Sequence, residues 1–251
     1  MHINVAEKDG VTQLRRAYCT QPFKVMDITE NKRDSLLQVM LMSSSPGILD
    51  GDEYNMEINL GQASSLELQT QSYQRLFSMK QGAVQNIRVY LQKNAFFRFL
   101  PHPVVPHEGA DFISSSKIYL SAGCTLLWGE VLTCGRKLNG EIFRFTRYHA
   151  ITEIFLSGKL VIKENLLMQP GLFDINGLGQ LEGFTHQATL IFLHETEPVK
   201  ELIELAINCL KEQQDIMYGV TAAPVNGIIV RMLGNKAEQL HKIVQSFKFE
   251  V

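Results

Sequence analysis

The heptapeptide Tyr54-Asn55-Met56-Glu57-Ile58-Asn59-Leu60 alternates strictly between apolar and polar side chains. A period of two places Tyr54, Met56, Ile58 and Leu60 on one face of a β-sheet and the polar residues on the other. The same reading extends outward in both directions. Leu36 to Met42 is a short apolar run that suits a buried strand. Ser65 to Gln69, Asn86 to Gln92, Ile151 to Leu156 and Lys159 to Ile162 repeat the strand pattern, and Phe143, Phe145 and Arg147 continue it. Short breaks at Gly61, Gly82, Asn94, Gly123, Gly140 and Gly158 separate these runs. Many short strands from Leu36 to about Met168 predict a mainly β chain, either a helically wound β arrangement or a sandwich-like stack. No fixed-period repeat selects a regular solenoid.

The period changes near residue 197. Val199, Leu202, Ile203, Ala206, Ile207 and Leu210 recur at helical spacing, with Pro198 placed in the first turn, and this helix is expected to run to about Met217. Gly219 to Ala222 and Ile228 to Val230 read as strands on either side of a turn marked by Pro224 and Asn226-Gly227. A final helix starts near Asn235, which has capping-box spacing to Glu238, and carries Ala237, Leu240, Ile243, Val244 and Phe247 on one stripe. No linker divides the 251 residues, so residues 1–251 are expected to form one domain, β first with two helices toward its end.

Composition excludes several classes. With 45% hydrophobic residues the chain is able to bury a core, and a net charge of −2 offers no basic footprint for nucleic acid. No apolar run is long enough to span a membrane and the first residues do not read as a signal peptide, so the expected location is cytoplasmic. Cys19, Cys124, Cys134 and Cys209 are widely spaced and read as free packing thiols. Trp128 reads as a packing residue.

Two glycine-bounded acidic stretches stand out: Pro46-Gly47-Ile48-Leu49-Asp50-Gly51-Asp52 and Gly135-Arg136-Lys137-Leu138-Asn139-Gly140-Glu141. Each reads either as an ordinary turn or as a functional loop with a placed carboxylate. Asn139-Gly140 is a hairpin signal, across which Arg136 is positioned to pair with Glu141. His102 and His107 flank a stiff proline segment but lack further ligands for a tight metal site. Ser43 to Ser45 and Ser114 to Ser116 lack a nucleophile-elbow context and read as loop and strand-edge serines. No nucleotide-binding glycine motif is present. A hydrolase built on His102, His107 and a serine lacks a nucleophile–base–orienter set.

In this order the segments resemble the UreD/UreH family of urease accessory proteins. Leu14-Arg15-Arg16, the Pro46–Asp52 stretch, Leu68 to Tyr73, Phe99 to Pro106, Gly135-Arg136 with Gly140-Glu141 and Phe143, and Val230 to Gly234 carry the resemblance. Pro46 and Asp50 stand where glycine is common in the family, so a role for the loop acid falls first on Asp52. The resemblance implies a non-enzymatic maturation factor that pairs with a UreF-type accessory protein, recruits the UreG-type GTPase and docks on apo-urease to assist nickel loading. It implies a strand-rich, helically wound fold with two helices. No tightly bound cofactor is expected, only nickel in transit. A conduit has to bind this ion weakly, which carboxylates and hydroxyls do better than thiolate or imidazole cages. Asp52, Glu130, Glu141 and Glu164, with Tyr73, are the expected lining of an internal polar path, since Glu130 and Glu164 lie within otherwise apolar strand segments. The alternative is a scaffold of the same complex that never touches the metal.

Overall fold

The computed structural model describes residues 1–247. Strands β1 (His2–Lys8), β2 (Val11–Tyr18) and β3 (Phe23–Asp27) come first. Four coils follow: β4 (Leu36–Ser43) with β5 (Glu53–Leu60); β6 (Ser65–Thr70), β7 (Gln74–Leu76) and β8 (Ala83–Leu91); β9 (Phe96–Phe99), β10 (Val104–Pro106) and β11 (Asp111–Leu120); and β12 (Thr125–Leu132) with β13 (Arg147–Leu156). The chain then runs through β14 (Lys159–Met168), β15 (His186–Leu193), α1 (Val199–Leu210), β16 (Ile216–Ala222), β17 (Gly227–Gly234) and α2 (Ala237–Ser246).

Each coil lays one strand in each of two facing sheets. The first sheet has the order β14-β13-β11-β8-β5-β1-β2, and the second runs β16-β17-β15-β12-β9-β6-β4-β3. Within the coils, successive strands of a sheet are parallel. Parallel neighbours need a crossover, and here the opposite sheet supplies it instead of a helix. The result is a mainly β fold of stacked coils with two helices near the C-terminus, as the alternation and the turn spacing predict. Antiparallel strands close both ends: β2 and β14 on the first sheet, and β3 and the β15-β17-β16 group on the second.

In-register stacking makes ladders of like residues between the sheets. Ile58, Val89, Ile118 and Ile154 follow one another across the first sheet, and all are buried. Phe97, Leu126, Trp128 and Ile191 meet them from the second sheet. Burying a side chain of this size contributes about 1.5–3 kcal/mol, so the ladder is a principal source of stability. A second layer covers the outer face of the second sheet. There Leu202, Ala206 and Leu210 of α1 and Leu240, Ile243 and Val244 of α2 pack on Leu127, Val131, Leu190 and Val230. β12 is therefore covered on both faces and apolar apart from Thr125 and Glu130, which explains a run too continuous to alternate. Gly129 permits the close packing of α2. A Cβ there would come 2.7 Å from Leu100 Cδ2 and 3.0 Å from Val244 Cγ1.

Several expectations are corrected. β1, β2, β3 and β15 add strands that the alternation did not reveal. α1 stops at Leu210 and not near Met217, because Ile216 to Ala222 pair with β17 over seven residues. Pro198 is the residue preceding the helix, and Ile207 of the supposed stripe is 40% exposed. Asn235 does not cap α2. Its carboxamide accepts a hydrogen bond from Thr185 Oγ1 at 3.0 Å, and Lys236 occupies the capping position. Phe143 and Phe145 lie outside any strand and pack against the end of the core. Ser114 to Ser116 are in the middle of β11, which is paired on both sides, and not at a loop or sheet edge. No described helix is long and apolar enough to cross a membrane.

Candidate functional site: an interior polar seam

One rung away from the Ile58–Ile154 ladder, the inward-facing row changes character. It reads Met56, Ile87, Ser116, Thr152 and Glu164 across β5, β8, β11, β13 and β14. The facing row of the second sheet reads Glu130, Thr189 and Arg231 across β12, β15 and β17. Inward direction follows from parity. Thr152 keeps step with buried Ala150 and Ile154, and Glu130 keeps step with buried Trp128 and Leu132. Hydroxyls and carboxylates thus meet between the sheets where hydrophobic side chains are the norm.

These groups are tied together. Glu130 Oε1 accepts from the indole N–H of Trp128 at 2.9 Å and from Thr152 Oγ1 at 2.8 Å. Among the described residues no hydrogen bond uses Oε2. The buried Tyr148 has its phenol pushed well up, first by burial and then by the charge of Glu130. Arg231 donates to both oxygens of Glu164, at 2.6 and 2.8 Å, and so bridges the two sheets.

Two cavities meet at this seam. The first, about 150 Å³, runs between the sheets from Ser43, Ser45, Pro46, Tyr73 and His102 past Gln85, Ser114 and Ser116 to Glu130. The second, about 230 Å³, is bounded by Glu130, Thr152, Glu164, Thr189 and Arg231. Trp128, Glu130, Tyr148 and Ala150 belong to the walls of both. Glu130 therefore stands in the wall that the two cavities share, with Tyr73 lining the first and Arg231 the second.

Three of the expected site residues, Tyr73, Glu130 and Glu164, lie on these walls. Tyr73 is 37% exposed in the wall of the first cavity, with its ring 5.9 Å from that of His102, and burial raises its phenol pKa. Asp52 and Glu141 are absent from the described lining of both cavities. Asp52 is one bond removed. Its Oδ2 accepts from Leu49 N at 2.8 Å and from the hydroxyl of Tyr54 at 3.0 Å, and Tyr54 lines the first cavity. Burial, with Asp52 second, pushes the Tyr54 phenol up to about 12. Asp50 instead secures the neighbouring loop by accepting the backbone N–H groups of Lys80, Gln81 and Gly82 at 2.9, 2.7 and 3.1 Å. These bonds, led by that from Gln81, hold its carboxyl below the usual range.

Glu141 lies elsewhere. It pairs with Arg136, as expected, and accepts from Glu108 N at 3.2 Å, and the guanidinium is the main cause of its lowered pKa. The loop is not a hairpin. Lys137–Asn139 form a single 3-10 turn, closed by Gly140 with φ 79°. His102 and His107 go to different partners: His102 Nδ1 lies 2.9 Å from Thr70 Oγ1, and the His107 ring packs 4.8 Å from that of Phe77. Among the described residues no three His, Cys, Asp or Glu side chains gather to hold a metal ion. All four cysteines are free thiols.

Sequence reasoning weighed Ser116 only as a nucleophile and Arg231 only within a family motif, and it did not single out Thr152, Thr189 or Tyr148. The available signal was parity: in Arg147–Leu156, Thr152 falls in step with Tyr148, Ala150 and Ile154.

The fold and seam define a class, a coiled parallel-β protein with a polar seam and two adjoining cavities between its sheets and helices over one sheet. The family model "UreD urease accessory protein" matches residues 1–249. A curated relative from Flavobacterium johnsoniae, "Urease accessory protein UreD", is 48% identical over 235 residues, covering 93% of this chain and 85% of the relative. Relatives of the same name from Acetivibrio thermocellus and Actinobacillus pleuropneumoniae are 33% and 31% identical, covering 98% and 94% of this chain and 94% and 90% of their own. The chain belongs to the UreD family of urease accessory proteins.

Proposed function

We propose that this chain acts in urease maturation as a non-catalytic conduit that passes nickel through its interior. The observation that carries this reading is the pair of cavities meeting at Glu130. Family membership supports the maturation role. On this reading the chain works in the cytoplasm, joins a UreF-type accessory protein and a UreG-type GTPase, and docks on apo-urease. The ion is cargo. It enters at one opening, passes Glu130 and leaves at the other.

The donor set fits cargo and not a resident metal. Nickel stands high in the divalent affinity order, so a cage of thiolates and imidazoles would retain it. The seam offers hydroxyls, carboxamides and single carboxylates, which exchange readily with water. Glu130 supplies a fixed negative charge midway, where a dication between low-dielectric walls needs one most. The two donors on Oε1 orient the carboxylate and leave Oε2 without a hydrogen bond among the described residues. Tyr73 and Glu164 mark the two ends, and Asp52 acts through the hydroxyl of Tyr54.

Replacing Glu130 by Gln keeps the shape and removes the charge. Activation of apo-urease in a reconstituted complex is expected to fall about tenfold, equivalent to about 1.4 kcal/mol, while co-purification with the UreF-type partner is retained. Undiminished activation would refute the conduit and leave a scaffold. Asp52→Ala and Glu141→Ala, assayed in the same way, test whether the passage extends beyond the two cavities.

A further inference from the structure

The opening beside β14 and β17 is not a bare hole. Arg231 reaches from the second sheet to the first and takes both carboxylate oxygens of Glu164. A guanidinium cannot release its proton under any ordinary condition, so it carries a fixed positive charge. A fixed cation is a poor lining for a cation's path, and the placement calls for an explanation. Surface packing does not supply one, because the Arg231 side chain is 54% exposed whereas Glu164 is 27% exposed. The register supplies more. Arg231 is the last side chain of the row Glu130–Thr189–Arg231, since its partner on β16 is Gly219, and Glu164 ends the row Ser116–Thr152–Glu164. The pair thus closes the outer end of the seam that leads to Glu130.

We propose that Arg231 is a positioning residue that latches this opening by holding Glu164 until a divalent cation takes its place on the carboxylate. The inference rests on the conduit reading above and adds its control. The two partners differ in freedom. Arg231 has a long, half-exposed side chain that is able to swing into solvent, where its charge is hydrated. Glu164 is held nearer the passage. A dication arriving from either side competes for the same two oxygens, and its double charge favours the exchange. When the ion leaves, Arg231 returns and the opening again carries no net charge. Both bonds come from Nη2, so a single nitrogen of Arg231 spans the two carboxylate oxygens and holds Glu164 toward the second sheet.

The protein contains its own reporter. Trp128 is the only tryptophan of the chain, and its indole N–H is bonded to Glu130. Ni²⁺ reaching Glu130 will quench its fluorescence. The full-length chain is mixed with NiCl₂ in a stopped-flow instrument, and release is followed by mixing the loaded protein with EDTA. Arg231→Gln frees Glu164 and makes the opening negative, so uptake is expected to rise about tenfold. Glu164→Gln leaves an unpaired guanidinium at the opening, so uptake is expected to fall about tenfold. Arg231→Lys is expected to fall between wild type and Arg231→Gln.

Opposite signs are the diagnostic feature. An ion pair with only a structural role makes both Gln variants shift the rates in the same direction or not at all, and either result with quenching intact overturns the latch while the conduit stands. Absence of nickel quenching in the wild-type chain overturns the conduit and the latch together. If Arg231→Gln does not fold, Arg231→Lys and Glu164→Gln still have to diverge in sign, and failure to do so overturns the latch.

Discussion

Two ladders cross the first sheet only two residues apart, and they differ in almost everything but backbone. Ile58, Val89, Ile118 and Ile154 are stacked in register and fully buried. Met56, Ile87, Ser116, Thr152 and Glu164 occupy the same face of the same strands, yet the row turns from apolar to polar to charged as it nears β14. The backbone hydrogen bonds are of the same kind in both, so secondary structure does not require the change. Nor does stability, because burying hydroxyls and a carboxylate costs free energy that isoleucines would contribute. The polar ladder is retained against that cost, and cavities accompany it. The apolar ladder holds the coils together, and the polar ladder lines the cavities between them.

The sharpest way to break this contrast is to exchange the properties of neighbouring rungs. Ile118 is 0% exposed and touches the core from the middle of β11. Ile118→Ala is expected to destabilise the fold by about 3 kcal/mol, the usual cost of truncating a buried isoleucine, as read by urea denaturation. Urease activation by the variant, corrected for the folded fraction, should be unchanged. Ser116, two residues earlier on the same strand, lines the first cavity and is expected to behave in the opposite way. Ser116→Val places methyl groups into that space, so stability should hold or rise by about 1 kcal/mol. Activation should fall about tenfold, a loss of about 1.4 kcal/mol in the transit step. If Ser116→Val destabilises like Ile118→Ala and leaves corrected activation intact, the two ladders have the same role and the contrast fails.

The sequence shows the two ladders unequally. Alternation in Tyr54–Leu60 and its counterparts marks the strands and their inward faces, and the helical stripes of α1 and α2 are correctly sided apart from Ile207. Parallel registry is invisible to it. Nothing local says that Ser116 and Thr152 are neighbours, because these positions, 36 residues apart along the chain, are brought together only by the coil, whereas Thr152 and Glu164 face each other across the β13-β14 hairpin. Glu130 and Glu164 were legible because each interrupts apolar surroundings, whereas Ser116 and Thr152 look like the polar residues of any half-exposed strand. The conspicuous glycine-bounded acids stand outside the two cavities and have backbone partners instead. Turns attract Asp because its short carboxylate satisfies local backbone N–H groups. Asp52 does so at Leu49 N, whereas Asp50 ties its loop to the distant Gln81 N, and Glu141 bonds Glu108 N and Arg136. At Gly135, by contrast, the demand for glycine is legible only in three dimensions. Its φ is 118°, and a Cβ would lie 2.8 Å from Glu141 O and 2.9 Å from Pro106 O.

The smallest expected effect concerns the one bond that joins the polar ladder to the facing sheet at the wall the cavities share. Thr152 Oγ1 donates to Glu130 Oε1 at 2.8 Å, and the Trp128 indole donates to the same oxygen. Thr152→Val keeps the branched shape and removes only the donor. One donor then remains on Oε1, and water in the adjoining cavities is able to replace the other, so the stability change should stay near the ordinary net value of a hydrogen bond, about 1 kcal/mol. Activation should fall about threefold, since the carboxylate keeps its charge but loses part of its orientation; that corresponds to about 0.7 kcal/mol. The decisive measurement is the double variant with Glu130→Gln. If Thr152 acts only by orienting Glu130, the double variant activates urease no worse than Glu130→Gln alone, because the second change has nothing left to disturb. Full multiplication of the two losses would mean that Thr152 serves the passage in its own right, and the shared wall would then hold a ring of ligands instead of a single oriented carboxylate.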